Sequence, residues 1–182
     1  VASIDEGKIG LFMLNHPAGN IFQTIPMFRL YQSVKEYQPD YIAVVDEYGD
    51  VRGLMLSCII AERGFRTIFS ARSVITGGPV VGENNNKVTD LLLENYLRGI
   101  KNKVVYSQCR NLYPGDHFRE SFEQRGFSYK EHFTIIIDLN KTIGELFSAV
   151  HKKKRNNIRR AIKKGVYFRK LASSEEIQQA IE

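Results

Sequence analysis

Two apolar runs facing each other across a turn constrain this chain more than any other feature. "DYIAVVDEYGDVRGLMLSCIIAE" places β-branched and other apolar residues on either side of Glu47-Tyr48-Gly49-Asp50. Short runs of this kind, bounded by a Gly-containing turn, predict an antiparallel β-hairpin. A hairpin is marginal alone, so the flanking sequence must supply further strands and helices to pack on it.

The flanks alternate between the two periods. "NIFQTIPMFRLYQSVKEY" has Ile21, Phe22, Ile25, Phe28, Leu30, Tyr31 and Val34 at mostly helical spacing, with Pro26 acceptable in a first turn, and predicts a helix near 24–36. After the hairpin, "FRTIFSARSVITGGPVV" reads as a third strand, bent at Gly77-Gly78-Pro79. "KVTDLLLENYLRGI" sets Val88, Leu91, Leu92 and Tyr96 on one face of a helix near 86–99. A strand "KVVYSQ" follows, then a helix near 116–125 with Phe118 and Phe122 four apart and Gly126 at its stop, then a long strand "YKEHFTIIIDL". "TIGELFSAVHKKKRNNIRRAIKKG" reads as helix broken near His151 and ended by Gly165, and "VYFRKL" as a last strand. The expected fold class is α/β: one mixed β-sheet flanked by helices, with a C-terminal basic helical extension. This order resembles the N-acetyltransferase (GNAT) superfamily, which implies that fold and leaves the chemistry open.

Charge is distributed unevenly. Residues 151–170 hold ten Lys or Arg and no Asp or Glu, whereas the remainder carries 16 basic against 20 acidic residues. One discrete electropositive feature therefore sits on a mildly acidic protein. On a helix, Lys152, Arg155, Arg159 and Lys163 share a stripe, beside an apolar seam of Val150, Ile158, Ala161 and Ile162. Lys153, Arg160 and Lys164 lie to the far side. A plain solvated amphipathic helix is one reading. Without interleaved Glu, however, like charges at i,i+4 repel, which favours an anionic partner with phosphates.

"HPAGNIFQTIPMFRLYQ", "GGPV", "YSQCRNL", "FEQRGFSYKEHFTIIIDL" and "KKKRNNIRRAIKKGV" together resemble, in order over about residues 16–170, the Fem family of peptidoglycan interpeptide-bridge enzymes. The resemblance implies transfer of an amino acid from aminoacyl-tRNA to an amine of a peptidoglycan-type precursor. It also implies two GNAT-like subdomains, of which residues 1–140 are the first. Residues 141–182 are then a basic helical connection and the start of a second, truncated subdomain. That agrees with Ser173 and Glu176, whose capping-box spacing opens a helix near the end of the sequence. The resemblance further implies that basic side chains hold the precursor's diphosphate, with Arg29, Lys152, Arg155, Arg159 and Lys163 as candidates. Gln23 and Arg72 are other substrate-site candidates. Gln23 reads equally as a helix-start residue bonding nearby backbone, and Arg29 as part of a solvated face.

No catalytic residue is identifiable; positioning of amine and activated ester can dominate such a transfer. Acetyl-CoA is disfavoured as cofactor, because the loop "VVGENNNKV" offers only Gly82 where a pyrophosphate needs bare backbone N–H groups, and Glu83 adds the wrong charge. His16, His117, His132 and His151 are scattered without ligand spacing, so no metal is expected. Cys58 and Cys109 read as reduced thiols. With no apolar run long enough for a bilayer and Asp5 and Glu6 near the start, the expected location is cytoplasmic. The competing functional reading is a non-catalytic module whose basic helix docks RNA or an anionic membrane surface, with no role for DNA; a conventional GNAT N-acyltransferase is the third.

Overall fold

The computed structural model describes residues 5–61, 70–82, 85–133 and 135–181. The chain divides into two compact units, Val1–Phe133 and Thr134–Glu182.

The first unit is built on the hairpin. Strands β1 (Tyr37–Val45) and β2 (Val51–Ile60) pair antiparallel from Tyr37 opposite Ile60 to Val45 opposite Val51. Asp46 locks the turn: its Oδ1 accepts the Tyr48 and Asp50 amides, and Gly49 takes a φ of 75°. Strand β3 (Arg72–Thr76) continues the sheet antiparallel to β2, and the two-residue β4 (Val80–Val81) rejoins β2 at Leu54 and Gly53. Helix α3 (Asn86–Ile100) then crosses to β5 (Tyr106–Arg110), which runs parallel to β3, so the sheet order is β1-β2-β3-β5. Before the hairpin come α1 (Glu6–Asn15), a 3-10 turn Ile21–Gln23 and α2 (Ile25–Ser33); after β5 comes α4 (Asp116–Glu123). This is the expected mixed sheet flanked by helices.

Both faces of β2 are covered. Met55 and Ile75 pack with Val88, Leu92, Tyr96 and Ile100 of α3 and with Phe118 of α4. Leu54 and Val80 pack instead with Ile9 and Met13 of α1. A strand buried on both sides has no polar alternation, which is why "GLMLSCII" reads as a continuous apolar run. The parallel pair is also pinned by a polar contact: Tyr96 Oη donates to Ser73 Oγ at 2.8 Å and meets Ser107 Oγ, and Ser73 and Ser107 are register partners.

Three expectations need correcting. Helix α1 was not foreseen; Gly7 and Gly10 dilute its periodicity, and an N-cap at Asp5 plus burial of Ile9 and Met13 holds it. The long strand expected at 129–139 is not a strand at any described residue, and Phe133, Ile135, Ile136, Ile137 and Leu139 are exposed. A β-prone run becomes a strand only where a neighbour supplies a hydrogen-bonding edge, and periodicity cannot supply one. The same holds for "VYFRKL", which forms no strand. The first part of the third strand, 65–69, lies outside the described residues.

The second unit contains α5 (Ile143–Ala149), α6 (Lys152–Lys163) and α7 (Ser174–Ile181). Thr142 and Glu145 form a capping box on α5, and Ser173 and Glu176 exchange the expected capping bonds on α7. The break at Val150-His151 falls where expected, and Gly165 ends α6 with a φ of 81°. No residue of α5 or α6 is buried.

Candidate functional site

The feature of the first unit with chemical potential is the place where two parallel strands part. β3 and β5 pair from Arg72–Tyr106 to Thr76–Arg110, and the Gly77 N–H adds a last bond to the Arg110 carbonyl at 2.8 Å. Beyond that point Gly77 and Gly78, at φ of 88° and 71°, swing the chain across to β2 as β4. β5 instead runs on into Asn111 and α4. Only glycine suits the bend, because a Cβ on Gly77 would lie 2.3 Å from Asn20 Oδ1 and one on Gly78 2.5 Å from Asn111 Oδ1. In α/β sheets such a parting at the carboxyl ends of strands is where ligands bind.

The loop before α2 supports the bend with three polar side chains. His16 accepts the Ala18 amide at Nδ1, so Nε2 carries the proton and donates to the Val81 carbonyl at 3.0 Å. Asn20 Nδ2 donates to the carbonyls of Ala18 and Gly77. Gln23, with 0% exposure, fills a gap in the ladder. Its Nε2 donates to the Thr76 carbonyl at 2.7 Å and the Leu56 carbonyl at 3.2 Å, while its Oε1 accepts the Leu56 amide at 2.7 Å. Continuing the β2–β3 register would set Leu56 opposite Thr76, so the Gln23 amide takes the place of that rung.

On the β5 side, Asn111 and the first turn of α4 border the parting. His117 there is exposed and lies tilted against Phe118; partial desolvation by that ring, together with the nearby His16 imidazole, lowers its pKa, with Asp116 opposing. The lowered pKa favours the neutral imidazole, whose free ring nitrogen can accept a proton. From sequence His117 is weighed only as a metal ligand; its one signal for another role is its place just past Gly115 at the start of a helix that follows a strand. The thiols are inert: burial pushes Cys109 up to about 12 and Cys58 up to about 11. A shallow basin of about 420 Å³ lies beside α1, lined by Leu11, Phe12, His16 and the Lys8–Asp50 pair among others.

The other residues singled out from sequence are distributed as follows. Arg29 is exposed and its Nη2 donates to both carboxylate oxygens of Glu6, at 3.0 and 2.7 Å. Arg72 opens β3, half-buried, between Ile60 and Tyr106. In the second unit Arg155 is committed locally: its Nη1 donates to the Ser148 and Val150 carbonyls at 2.5 and 2.6 Å, closing the C-terminal end of α5. The Arg159 guanidinium lies over the Phe147 ring at 5.4 Å. Lys152 and Lys163 make no ion pair among the described residues. At the loop weighed for acetyl-CoA, Asn85 Oδ1 accepts the amides of Lys87 and Val88, so the start of α3 is capped by its own side chain. Glu83 lies outside the described residues.

No protein-family model matches the chain, and no curated protein matches it. Solved structures do. A transcriptional regulator from Bacillus halodurans C-125 superposes with a TM-score of 0.52 at 11% identity, over 76% of this chain and 96% of that one. A ribosomal-protein-alanine N-acetyltransferase from Brucella melitensis biovar Abortus 2308 gives 0.50 at 8% identity, over 74% and 94%. At these identities the likeness is one of architecture, and it establishes that this chain has the mixed α/β sheet of the N-acetyltransferases, the GNAT fold.

Proposed function

We propose that the chain is an acyltransferase domain that passes an activated acyl group to an amine, with the reacting carbonyl seated where β4 and β5 part. The observation that carries this reading is the parting itself: two parallel strands end together, glycines turn one away past Asn111, and the helix that follows β5 carries His117 on its first turn. His117 is the candidate to take the proton that the amine loses on attack.

The fold likeness by itself favours a conventional acyl-CoA donor. The chain's own residues favour another. The first amides of α3 are already bonded to Asn85, which removes donors a pyrophosphate would use. The resemblance to Fem enzymes supports an aminoacyl ester on tRNA as donor and the amine of a peptidoglycan-type precursor as acceptor. In that finer reading Lys152, Arg159 and Lys163 of the second unit are candidates for substrate phosphates, and Arg29 of the first unit is a separate candidate that would exchange Glu6 for a diphosphate. Gln23 and Arg155 act only through the backbone they hold.

Titration calorimetry with acetyl-CoA tests the donor. No heat of binding at sub-millimolar concentration is expected, and a micromolar isotherm would assign a conventional N-acetyltransferase. An aminoacyl-tRNA that retains its amino acid in the presence of the protein and an amine-bearing precursor would overturn the Fem-like reading.

A further inference from the structure

We propose that α6 and the residues that follow it form a surface that docks on an anionic lipid bilayer. The helix is largely two-sided: Ile158, Ala161 and Ile162 fall on one side, with the long Lys154 among them, and Lys152, Lys153, Arg159, Arg160, Lys163 and Lys164 on the other. Ile158 is 41% exposed and Ile162 66%. Immediately after Gly165 stand Val166, Tyr167 and Phe168 at 62, 82 and 97% exposure, and Arg169 and Lys170 follow. Apolar and aromatic groups are thus open to solvent and bracketed by cations.

An interfacial helix requires this combination: apolar groups that enter the acyl boundary and cations that reach lipid phosphates. The position of the lysines adds a second argument. Lys152, Lys153 and Lys154 occupy the first turn of α6, the positive end of the helix dipole, where cations are disfavoured in isolation. An anionic surface reverses that sign. Phosphate contact with a nucleic acid would use the cations but gives Ile158, Ile162 and Phe168 nothing to bury them. The inference does not depend on the acyl-transfer reading; Arg159 and Lys163 would here face lipid phosphate.

Co-sedimentation of the full 182-residue chain with vesicles tests it. Binding is expected to vesicles containing about 40% phosphatidylglycerol and not to pure phosphatidylcholine, and it should weaken with salt. Replacing Lys163→Gln and Lys164→Gln together should weaken binding roughly 25-fold, about fivefold for each basic residue at the surface. Phe168→Ser should weaken it about tenfold or more, with an unchanged far-UV spectrum because the ring is exposed. Absence of binding to the anionic vesicles would overturn the proposal. So would binding indifferent to Phe168→Ser, or tight binding of a transfer RNA by a chain that ignores vesicles; the last would assign the helix to RNA.

Discussion

Replacing Gln23 by Leu separates a structural amide from a substrate contact. Leu is close in size and keeps the apolar part of the side chain, so the change removes the amide without opening a large cavity. What it leaves behind follows from the geometry. The Leu56 amide loses its acceptor at 2.7 Å, and the Thr76 and Leu56 carbonyls lose their donors at 2.7 and 3.2 Å, at a site with 0% exposure. A buried polar group left without a partner costs about 1–3 kcal/mol. Two short bonds and one longer one then imply a loss of about 4 kcal/mol, a large part of the ~5–15 kcal/mol that holds a domain folded. Urea unfolding followed by tyrosine fluorescence is the assay, since the chain has nine Tyr and no Trp. With a slope of about 2 kcal/mol/M, the midpoint should fall by roughly 2 M at unchanged slope. Arg29→Ala, which breaks an exposed ion pair, should cost under ~1 kcal/mol. A Gln23→Leu midpoint within about 0.5 M of the parent would refute the reasoning. If precursor binding vanished at the same time, Gln23 would be a substrate contact after all.

Two other outcomes follow from the same structure. Cys109 is pushed up to about 12 and Cys58 to about 11 from an ordinary 9, so both thiols stay neutral in the folded chain while the unfolded chain ionises near pH 9; stability should be level below that pH and fall from 9 toward 12. The check is urea midpoints at pH 8 and pH 10, and replacing both with Ser should flatten the decline. The exposed run Ile135–Ile137 has high β-propensity and no Pro, so the chain should self-associate at high concentration, and Ile136→Lys should suppress this in light scattering without moving the urea midpoint.

The sheet was legible where a segment's period and its burial agree. β1 and β2 carry their partner in the turn between them, and α3 shows one apolar face because one face is buried. The unforeseen α1 shows the converse: two glycines in ten residues hide a helix whose stability comes from Leu54 and Val80 beneath it. The run at 129–139 failed for want of a neighbour, not for want of propensity. In the basic block, spacing grouped Arg155 with Lys152, Arg159 and Lys163, and a helical wheel does so correctly. It could not show that the break at Val150-His151 turns the carbonyls of Ser148 and Val150 toward the Arg155 guanidinium. Faces are set by the local chain; partners are set by how the chain is broken.

The same distinction explains the polar residues of "HPAGNIFQ". His16, Asn20 and Gln23 each donate to a carbonyl of the interrupted strand: Val81, Gly77 and Thr76 respectively. An interruption leaves backbone groups unpaired, and buried ones must be matched. The Gly77-Gly78-Pro79 bend therefore requires a polar splint nearby, and the loop before α2 is that splint. Three polar residues in a short, apolar-flanked loop look from sequence like a binding motif. In the folded chain they hold the bend and β4 in place by bonding the carbonyls of Thr76, Gly77 and Val81. Asn111, which faces Gly78 across the bend, lies within "YSQCRNL", whereas His117 comes from a stretch with no motif, because a place beside a cleft requires position and not a pattern of neighbours.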